Sequence, residues 1–332
     1  MAVRVEQWVQ CGLELARHLV ADRPRLEAEL GVSGGVRRVE AGLGDRHGGG
    51  RTVVTLTFDS GVRAVYKPRS LALDVVFQEL LGWLGDRGVE PRLRTTGVID
   101  AGDRGWMEFV SPSECATEAE VERFYARQGV YLALLFALEA TDFHRENLIA
   151  DGEHPVLIDL ESLFQPALVD REVNPEDVNP VATTVLRSGL LPRFDWGEQG
   201  AEGTDMSGLG ADTFVQTAVS ELVEIGTDAM AYARGTVTMK RGDHRPRLGG
   251  EEPPLWRYGD VILDHFEATY RRLAELRPHF LGPGGWLDRF RGLEIRVIPR
   301  ATGLYVRLLY LGYHPDHLRD ALGREQLFDK LW

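Results

Sequence analysis

The chain has 332 residues, of which 43% are hydrophobic, and its 38 basic and 51 acidic side chains give a net charge of -13. This apolar content can bury a sizeable core, in one large two-lobed domain or two smaller ones. The acidic excess opposes bulk attraction to nucleic acid or anionic lipid, so any anionic ligand must be held by local groups. Cys11 and Cys115 lie outside any CxxC or Cys/His spacing, so neither a disulfide framework nor a thiolate zinc site is supported.

The N-terminal segment MAVRVEQWVQCGLELARHLV places apolar residues at helical spacing with charges between them, unlike the apolar core of a signal peptide. It predicts an amphipathic helix, or a pair of helices, over the first thirty residues. No later run of apolar residues is long enough to span a membrane. We therefore expect a cytoplasmic protein with neither a membrane nor a nucleic acid as partner.

The next segment predicts β structure. RRVEAGLGDRHGGGRTVVTLTFDSGVRAVYKPRS indicates a strand, a glycine-rich loop and two strands that turn at Asp59-Ser60-Gly61. LALDVVFQELLGWL has helical spacing, and RTTGVID and GWMEFV predict two further strands joined near Gly102. The first third of the chain is therefore expected to form a small β-rich unit.

From residue 116 the pattern becomes helical. Thr117 and Glu120 form a capping-box pattern before a helix that is apolar on most faces and therefore buried. Short strands are expected between 142 and 164, long loops over 166–212, and helices over 212–234 and 258–277. The segment GDHRPRLGGEEPPL is predicted to be an exposed, linker-like loop.

Several motifs supply the parts that phosphoryl transfer requires, namely a backbone cradle, a cation, oxygen ligands for magnesium and a carboxylate near the nucleophile. GLGDRHGGG, residues 42–50, lies between predicted strands where amides can face phosphates, although such runs most often mark hairpin turns. Lys67 ends a strand one hairpin later, as the strand lysine of kinases does. Its orienting carboxylate is either Asp74 or Glu79, and the sequence does not choose between them.

The stretch EATDFHRENLIADGEHPVLIDLESLF, residues 139–164, carries the most specific spacing. Asp142 and Asn147 are separated as base and metal ligand are in the kinase loop HRDxxxxN. Asp159 follows an apolar strand, where a DFG-type aspartate would hold metal, although one such carboxylate is commonly a structural cap. His144 is either a core histidine or a group that orients substrate or phosphate. Glu161 is either a second metal ligand or a surface residue.

Two further features have open interpretations. GWMEFV is either a hinge, with backbone groups of Glu108 to Val110 available to an adenine ring, or an ordinary edge strand. Arg296, Arg300 and Thr302 interrupt an apolar segment. At least one of these arginines is therefore expected to point inward and to need an anion or carboxylate partner.

Taken together, the motifs resemble the dehydratase domain of class II lanthipeptide synthetases, the LanM type. The resemblance runs from about residue 37 to the C terminus. It rests on GDRHGGGR, VYKPRSLALDVVFQELLGWL, GWMEFV, TDFHRENLI, PVLIDLESLF, TTVLRSGLLP, DMSGLG, RVIPRATGLYVRLL and HPDHLRDALGREQLFDKLW. It implies an α+β, lipid-kinase-like fold with two lobes: a helical segment at 1–36, a β-rich N-terminal lobe at 37–115 and a larger α-rich C-terminal lobe at 116–332.

The resemblance also implies the reaction and its residues. ATP and Mg²⁺ would serve to phosphorylate Ser and Thr of a ribosomal precursor peptide, and elimination of the phosphate would leave dehydroalanine or dehydrobutyrine. The residues implied for phosphorylation are Asp45 and His47 in the phosphate loop, Lys67 on ATP, Asp142, His144 and Asn147 in the catalytic loop, and Asp159 and Glu161, with Asn147, on the metal.

Arg296 and Thr302 match the pair that the family uses for elimination. Removing an α-proton beside an amide carbonyl is difficult, so this step needs a base and an ion pair on the departing phosphate, which Arg296 can supply. LanM synthetases continue into a zinc-dependent cyclase, whose Cys/His ligand set this chain lacks. We therefore expect either a truncated synthetase or a stand-alone dehydratase that has a separate cyclase as partner. The alternatives are a peptide or small-molecule kinase without elimination, and an inactive synthetase fragment that binds leader peptide.

Overall fold

Helix α1, Ala2–Leu30, opens the chain as one continuous helix, so the single-helix alternative is confirmed. The computed structural model describes residues 2–166, 183–195, 204–210, 216–238, 242–298 and 302–329. The inner face of α1 packs Leu26 and Leu30 against the sheet that follows. Asp22, on the same face, accepts hydrogen bonds from Arg104 and Trp106, which fixes the helix to the sheet.

A five-stranded antiparallel sheet has the order β1-β2-β3-β5-β4. Its strands are β1 Val36–His47, β2 Arg51–Phe58, β3 Arg63–Lys67, β4 Val98–Asp100 and β5 Gly105–Glu108. Val54, Leu56 and Phe58 alternate along β2 and, with the buried residues of α1, form a small apolar core. The β-rich segment is confirmed, and β3 lies at the centre of the sheet.

The glycine-rich segment differs from the expected loop. β1 runs on through it to His47, and a 3₁₀ turn at Gly48–Gly50 connects β1 to β2. The pairing of β1 with β2 shifts register around Leu43, and Gly42 has a φ of 81°, so the strand bulges there. The glycines therefore serve a bulged strand and a tight turn, and the N–H of Gly42 donates to Thr52 Oγ1 at 3.2 Å.

A larger apolar core lies around helix α3, Glu118–Ala137, which α2, Ala72–Asp86, and α4, Gly259–Glu275, flank. The N terminus of α3 is capped as predicted. Thr117 Oγ1 accepts from the backbone of Glu120 at 3.3 Å, and Glu120 Oε2 accepts from the backbone of Ala116 at 2.7 Å. Because buried residues lie on every face of α3, the helix is central, as its composition predicts.

The remaining described elements are mostly short. They are β6 Leu148–Asp151, β7 His154–Leu157, β8 Phe194–Asp195, β9 Thr204–Asp205, β10 Gln216–Val223, β11 Ala231–Thr238, α5 Arg277–Leu281, α6 Trp286–Phe290, α7 Thr302–Leu311 and α8 Ala321–Phe328. β6 and β7 form the hairpin expected between 142 and 164. The helix expected over 258–277 is confirmed by α4.

Two expectations for this part of the chain are wrong. Within the segment 212–234, the described residues 216–234 are not helical, because β10 and β11 form an antiparallel hairpin whose turn has Gly226 at φ 86°. Its Thr and Val residues favour extended backbone. The segment 242–255 is not an exposed linker, since His244 and Arg245 are 1% and 6% exposed. The backbone N–H groups of Cys115 and Ala150 donate to carbonyl oxygens of this segment. These bonds satisfy polar backbone groups in a segment that is irregular but packed.

The fold is α+β, as predicted. α2 contributes side chains to the larger core, whereas β2 to β5 and α1 share the smaller one. The division into segments 1–36, 37–115 and 116–332 stays a prediction. None of the described helices combines the length and the apolar content needed to cross a membrane.

Candidate active site

A cleft open to solvent, with an empty volume of ≈ 750 Å³, lies where the end of β3 faces the segment after β7. Its walls are formed by three stretches that are far apart in the sequence, together with Val53 of β2. The lining residues are Val53, Lys67, Pro68, Arg69, Ser70, Asp159, Glu161, Glu294, Ile295 and Arg296. The fold thus brings together the strand lysine, the residues after the apolar strand and Arg296, the arginine predicted to act in elimination.

Lys67 is the last residue of β3 and is buried. Its Nζ donates to the carbonyl oxygen of Ile158 at 2.5 Å, so the ammonium group lies directly beside the residue that precedes Asp159. Among the described contacts, neither Asp74 nor Glu79, the two carboxylates predicted as alternatives to orient Lys67, bonds to its ammonium group. Asp74 is bound by Arg69, and Glu79 pairs with an arginine of α6.

Arg69 is a functional candidate that the sequence analysis missed. Its guanidinium lies 2.9 Å from Asp74 Oδ2, 3.0 Å from Asp159 Oδ1 and 3.4 Å from Glu161 Oε2. Burial alone would lower the pKa of this arginine, but the three carboxylates outweigh it and raise the pKa. A usable signal existed, because residues i and i+2 of an extended chain point to the same side and Arg69 stands two residues after Lys67.

Asp159 and Glu161 form an acidic pair on the opposite wall. Burial would raise the pKa of Asp159, but Lys67 and Arg69 outweigh it and hold the pKa below its usual value. Glu161 is only 14% exposed and bonds to Arg296 through Oε1 at 2.9 Å. It is therefore not a surface residue.

Arg296 is held by its backbone as well as by its side chain. Its N–H donates to the carbonyl oxygen of Glu161 at 2.7 Å, and its carbonyl accepts from the side chain of Gln165 at 2.7 Å. Arg296 therefore has the inward position and the carboxylate partner that the sequence predicts. Arg300 lies outside the described residues, and Thr302 begins α7 with its side chain outside the described part.

The loop before β6 arranges the predicted catalytic residues. Asp142 has a left-handed backbone, φ 67°, and the side chain of Asn147 donates to its carbonyl oxygen at 2.8 Å. The backbone N–H of Glu146 donates to His144 Nδ1, which leaves the proton of a neutral ring on Nε2, 3.7 Å from Asp142 Oδ1. His144 is therefore a neighbour of Asp142 and not a core histidine.

The surroundings of Asp142 shift its pKa in the direction opposite to that of Asp159. Burial raises the pKa of Asp142, and the nearby His144 and Arg296 only partly oppose this effect. Two aspartates of one site thus have pKa values shifted in opposite directions. Such separation is typical of sites in which one carboxyl handles a proton and another stays ionised.

The oxygen atoms near the cleft fit Mg²⁺, which prefers carboxylate and carbonyl ligands. Because the amide nitrogen of Asn147 donates to Asp142, its Oδ1 can serve as a cation ligand. The backbone carbonyl of Asn147 accepts from Ile158, the residue before Asp159, at 3.0 Å. Among the described residues, no group of three or more His, Cys, Asp or Glu side chains is arranged to hold a metal. The candidate set is therefore two carboxylates and one amide, completed by ligands such as phosphate.

The other residues predicted to contact the nucleotide lie in β1 and at the end of β5. Asp45 and His47 lie in β1, but their side chains are outside the described part of the structure. The N–H of Glu108 donates to the carbonyl oxygen of Gly97 at 2.8 Å, so this group is not available to an adenine ring. β5 lies between β3 and β4, so the alternative of an ordinary edge strand is wrong, whereas the hinge stays a prediction for Phe109 and Val110.

The chain belongs to the family described as a domain of unknown function, DUF4135, which matches residues 1–332. It is also 27% identical to the lacticin 481/lactococcin biosynthesis protein LcnDR2 of Lactococcus lactis subsp. lactis. That match covers 87% of this chain but only 32% of the relative, so the chain spans about a third of the relative's length. The resemblance to the LanM type, drawn from the motifs, is confirmed by these matches.

Proposed function

We propose that this chain acts in lanthipeptide maturation as a dehydratase. It would phosphorylate Ser and Thr residues of a precursor peptide with ATP and Mg²⁺ and then eliminate the phosphate. The observation that carries the proposal is the single cleft in which Lys67, Asp159, Glu161 and Arg296 meet. A relative named for lacticin 481/lactococcin biosynthesis supports the substrate class.

In the first step, the hydroxyl oxygen of a peptide Ser or Thr bonds to the γ-phosphorus, and the bond to the ADP oxygen breaks. Asp142 would accept the hydroxyl proton, and Lys67 would bind the phosphates. Asn147, Asp159 and Glu161 would hold Mg²⁺, which supplies charge neutralisation when bound. The lowered pKa of Asp159 supports an ionised ligand, and the raised pKa of Asp142 supports a group that exchanges protons.

In the second step, a base accepts the α-proton, the electrons of the Cα–H bond form the double bond, and the bond between Cβ and the phosphate oxygen breaks. The released phosphate carries away the electron pair of the broken bond. Arg296 would stabilise this charge, since a guanidinium binds phosphate through two parallel N–H groups. Its position across the cleft from Lys67 supports a role in the same site, and by resemblance Thr302 is its partner. Each complete event removes one water from the peptide and converts one ATP to ADP and phosphate.

The test is to incubate the chain with ATP, Mg²⁺ and a class II lanthipeptide precursor peptide and to follow the peptide by mass spectrometry. The expected product has lost the mass of one water per modified residue. Arg296→Ala and Thr302→Ala should instead accumulate peptide that has gained phosphate. Arg291→Ala is the matched control, because that arginine is 81% exposed and pairs only with Asp288 among the described residues.

Three outcomes separate the candidate functions. Phosphopeptide as the final product of the unaltered chain would show a kinase without elimination. Unmodified peptide together with calorimetric binding of leader peptide, but not of nucleotide, would show an inactive fragment. Normal dehydration by Arg296→Ala would remove this residue from the elimination step.

A further inference from the structure

Arg69 is a central cation of the cleft for which the proposed reaction gives no role. Its guanidinium reaches Asp159 and Glu161, the two carboxylates assigned to the metal, and a third one, Asp74, behind them. Asp159 and Glu161 come from the far wall, about ninety residues away in the sequence. Arg69 is therefore the side chain that joins the two walls where a divalent cation would bind.

The charge of Arg69 makes its ion pairs with Asp159 and Glu161 compete with the binding of a metal ion alone. Lys67, Arg69 and Arg296 balance the carboxylates of Asp74, Asp159 and Glu161 without any added ion. A divalent cation between Asp159 and Glu161 would lie beside the guanidinium and be repelled by it. It can enter when Arg69 withdraws, or when phosphates arrive with it and offset the added positive charge.

Asp74 offers a place for the withdrawn guanidinium. This aspartate is 0% exposed in the first turn of α2, and only its Oδ2 accepts from Arg69. Its Oδ1 is buried and has no hydrogen-bond partner among the described residues. A buried carboxylate oxygen without a donor is unfavourable, and a second N–H of the same guanidinium would satisfy it in a bidentate pair.

We propose that Arg69 is an internal cation that holds Asp159 and Glu161 until the metal and nucleotide bind, and that Asp74 then receives its guanidinium in a bidentate pair. The proposal rests on the proposed function, because it concerns regulation of the same metal site. It makes Arg69 and Asp74 positioning residues. Its consequence is that metal alone binds weakly and metal with nucleotide binds well.

The experiment titrates Mn²⁺, as a probe for Mg²⁺, into the full chain and measures bound ion by electron paramagnetic resonance, with and without a non-hydrolysable ATP analogue. Arg69→Gln should bind Mn²⁺ alone several-fold more tightly than the unaltered chain, because the competing cation is gone. Asp74→Asn should bind Mn²⁺ with the analogue several-fold more weakly, because the guanidinium has lost its second acceptor. The double variant should behave like Arg69→Gln.

The two variants should change the affinity for Mn²⁺ in opposite directions if Arg69 is a switch. If the ion pair were merely structural, both variants would weaken metal binding. Arg289→Gln is the matched control, since this arginine pairs with Glu79 on the surface and should leave both affinities unchanged. Arg69→Lys keeps a charge and serves if Arg69→Gln does not fold; it should retain the dependence of metal binding on nucleotide.

Two results would overturn the proposal in distinguishable ways. If the unaltered chain binds Mn²⁺ with the analogue but Arg69→Gln gains no affinity for Mn²⁺ alone, the switch is wrong and the metal site stands. If the unaltered chain binds Mn²⁺ under neither condition, the proposed function fails and the switch fails with it.

Discussion

Asp142 combines a left-handed backbone with a partly buried carboxyl beside His144. Non-glycine residues rarely adopt a positive φ, and such strain is concentrated at functional sites. Here the left-handed backbone turns the carbonyl oxygen of Asp142 toward Asn147. The side-chain amide of Asn147 donates to that oxygen, which fixes the orientation of the amide. The interval of five residues thus reflects a closed loop in which each residue positions the other.

The raised pKa of Asp142 predicts an acid limb in the rate of peptide phosphorylation. Since only the ionised carboxyl can accept the hydroxyl proton, the rate should fall as pH drops through the pKa of Asp142. That pKa lies above the ordinary aspartate value of about 3.9. Single-turnover rates at saturating ATP and Mg²⁺ measure this limb. Asp159 does not cause it, because its lowered pKa keeps it ionised there.

Asp142→Asn should reduce phosphorylation by about 10²-fold or more, the usual contribution of a positioned base. The comparison variant is His144→Gln, which should move the limb to higher pH, because His144 lowers the pKa of Asp142. A limb at or below the pKa of free aspartate would contradict the assignment.

Local spacing made part of this site predictable. Asp142, Asn147 and Asp159 belong to one short loop and hairpin, so their intervals already determine their proximity. Arg69 could not be assigned in the same way, because its partner Asp159 lies on another wall and only the folded chain brings them together. The sequence also left open whether Asp74 or Glu79 orients Lys67. The structure shows neither in this role, because Asp74 pairs with Arg69 and Glu79 pairs with Arg289.

At the scale of elements, the crossing of α3 and α4 depends on Gly129. A methyl group at this position would lie 2.4 Å from the carbonyl oxygen of Ile262 and 3.0 Å from the backbone of Phe266. Glycine normally weakens a helix, so its presence inside buried α3 has a packing reason. The two helices approach closely enough that only a hydrogen atom fits between them.

Gly129→Ala should therefore destabilise the protein by about 1–3 kcal/mol, the range for overpacking a core. Gly82→Ala is the matched control, because a methyl group at that position of α2 meets nothing within 4 Å. Alanine is the better helix former, so this change should stabilise the chain by about 0.5–1 kcal/mol. Urea unfolding followed by circular dichroism measures both. Equal effects of the two substitutions would refute the packing argument.

Elements with a strong local pattern were the predictable ones. α3 has a capping box and a long apolar stretch, and both signals act within a few residues. The segment 212–234 was assigned wrongly because its Thr and Val residues favour strands only when a partner strand is present. The partner strand is β11, the second half of the same hairpin. A prediction from the helical spacing of apolar residues does not take this pairing into account.

At the scale of the whole molecule, two groups of polar contacts join the sheet to the larger core. One lies in the cleft, where Lys67 and Arg69 reach Ile158 and Asp159. The other is Arg94, which pairs with Glu108 at the end of β5 and with Asp151 at the end of β6. The first group uses the side chains that the proposed ligand would also bind. Ligand binding should therefore be coupled to the stability of the molecule as a whole.

ATP with Mg²⁺ is expected to raise the midpoint of thermal unfolding. A ligand that binds only the folded chain adds about 2.7 kcal/mol at a hundred times its Kd. For a chain of this size each kcal/mol corresponds to about 2–4 °C or somewhat less, so the increase should be several degrees. Lys67→Ala should lose most of this increase, because its ammonium is buried in the cleft at the end of β3, where it bonds to the residue before Asp159. Arg289→Ala, on the surface of α6, should keep it. An equal increase in the Lys67 variant would place the nucleotide outside this cleft.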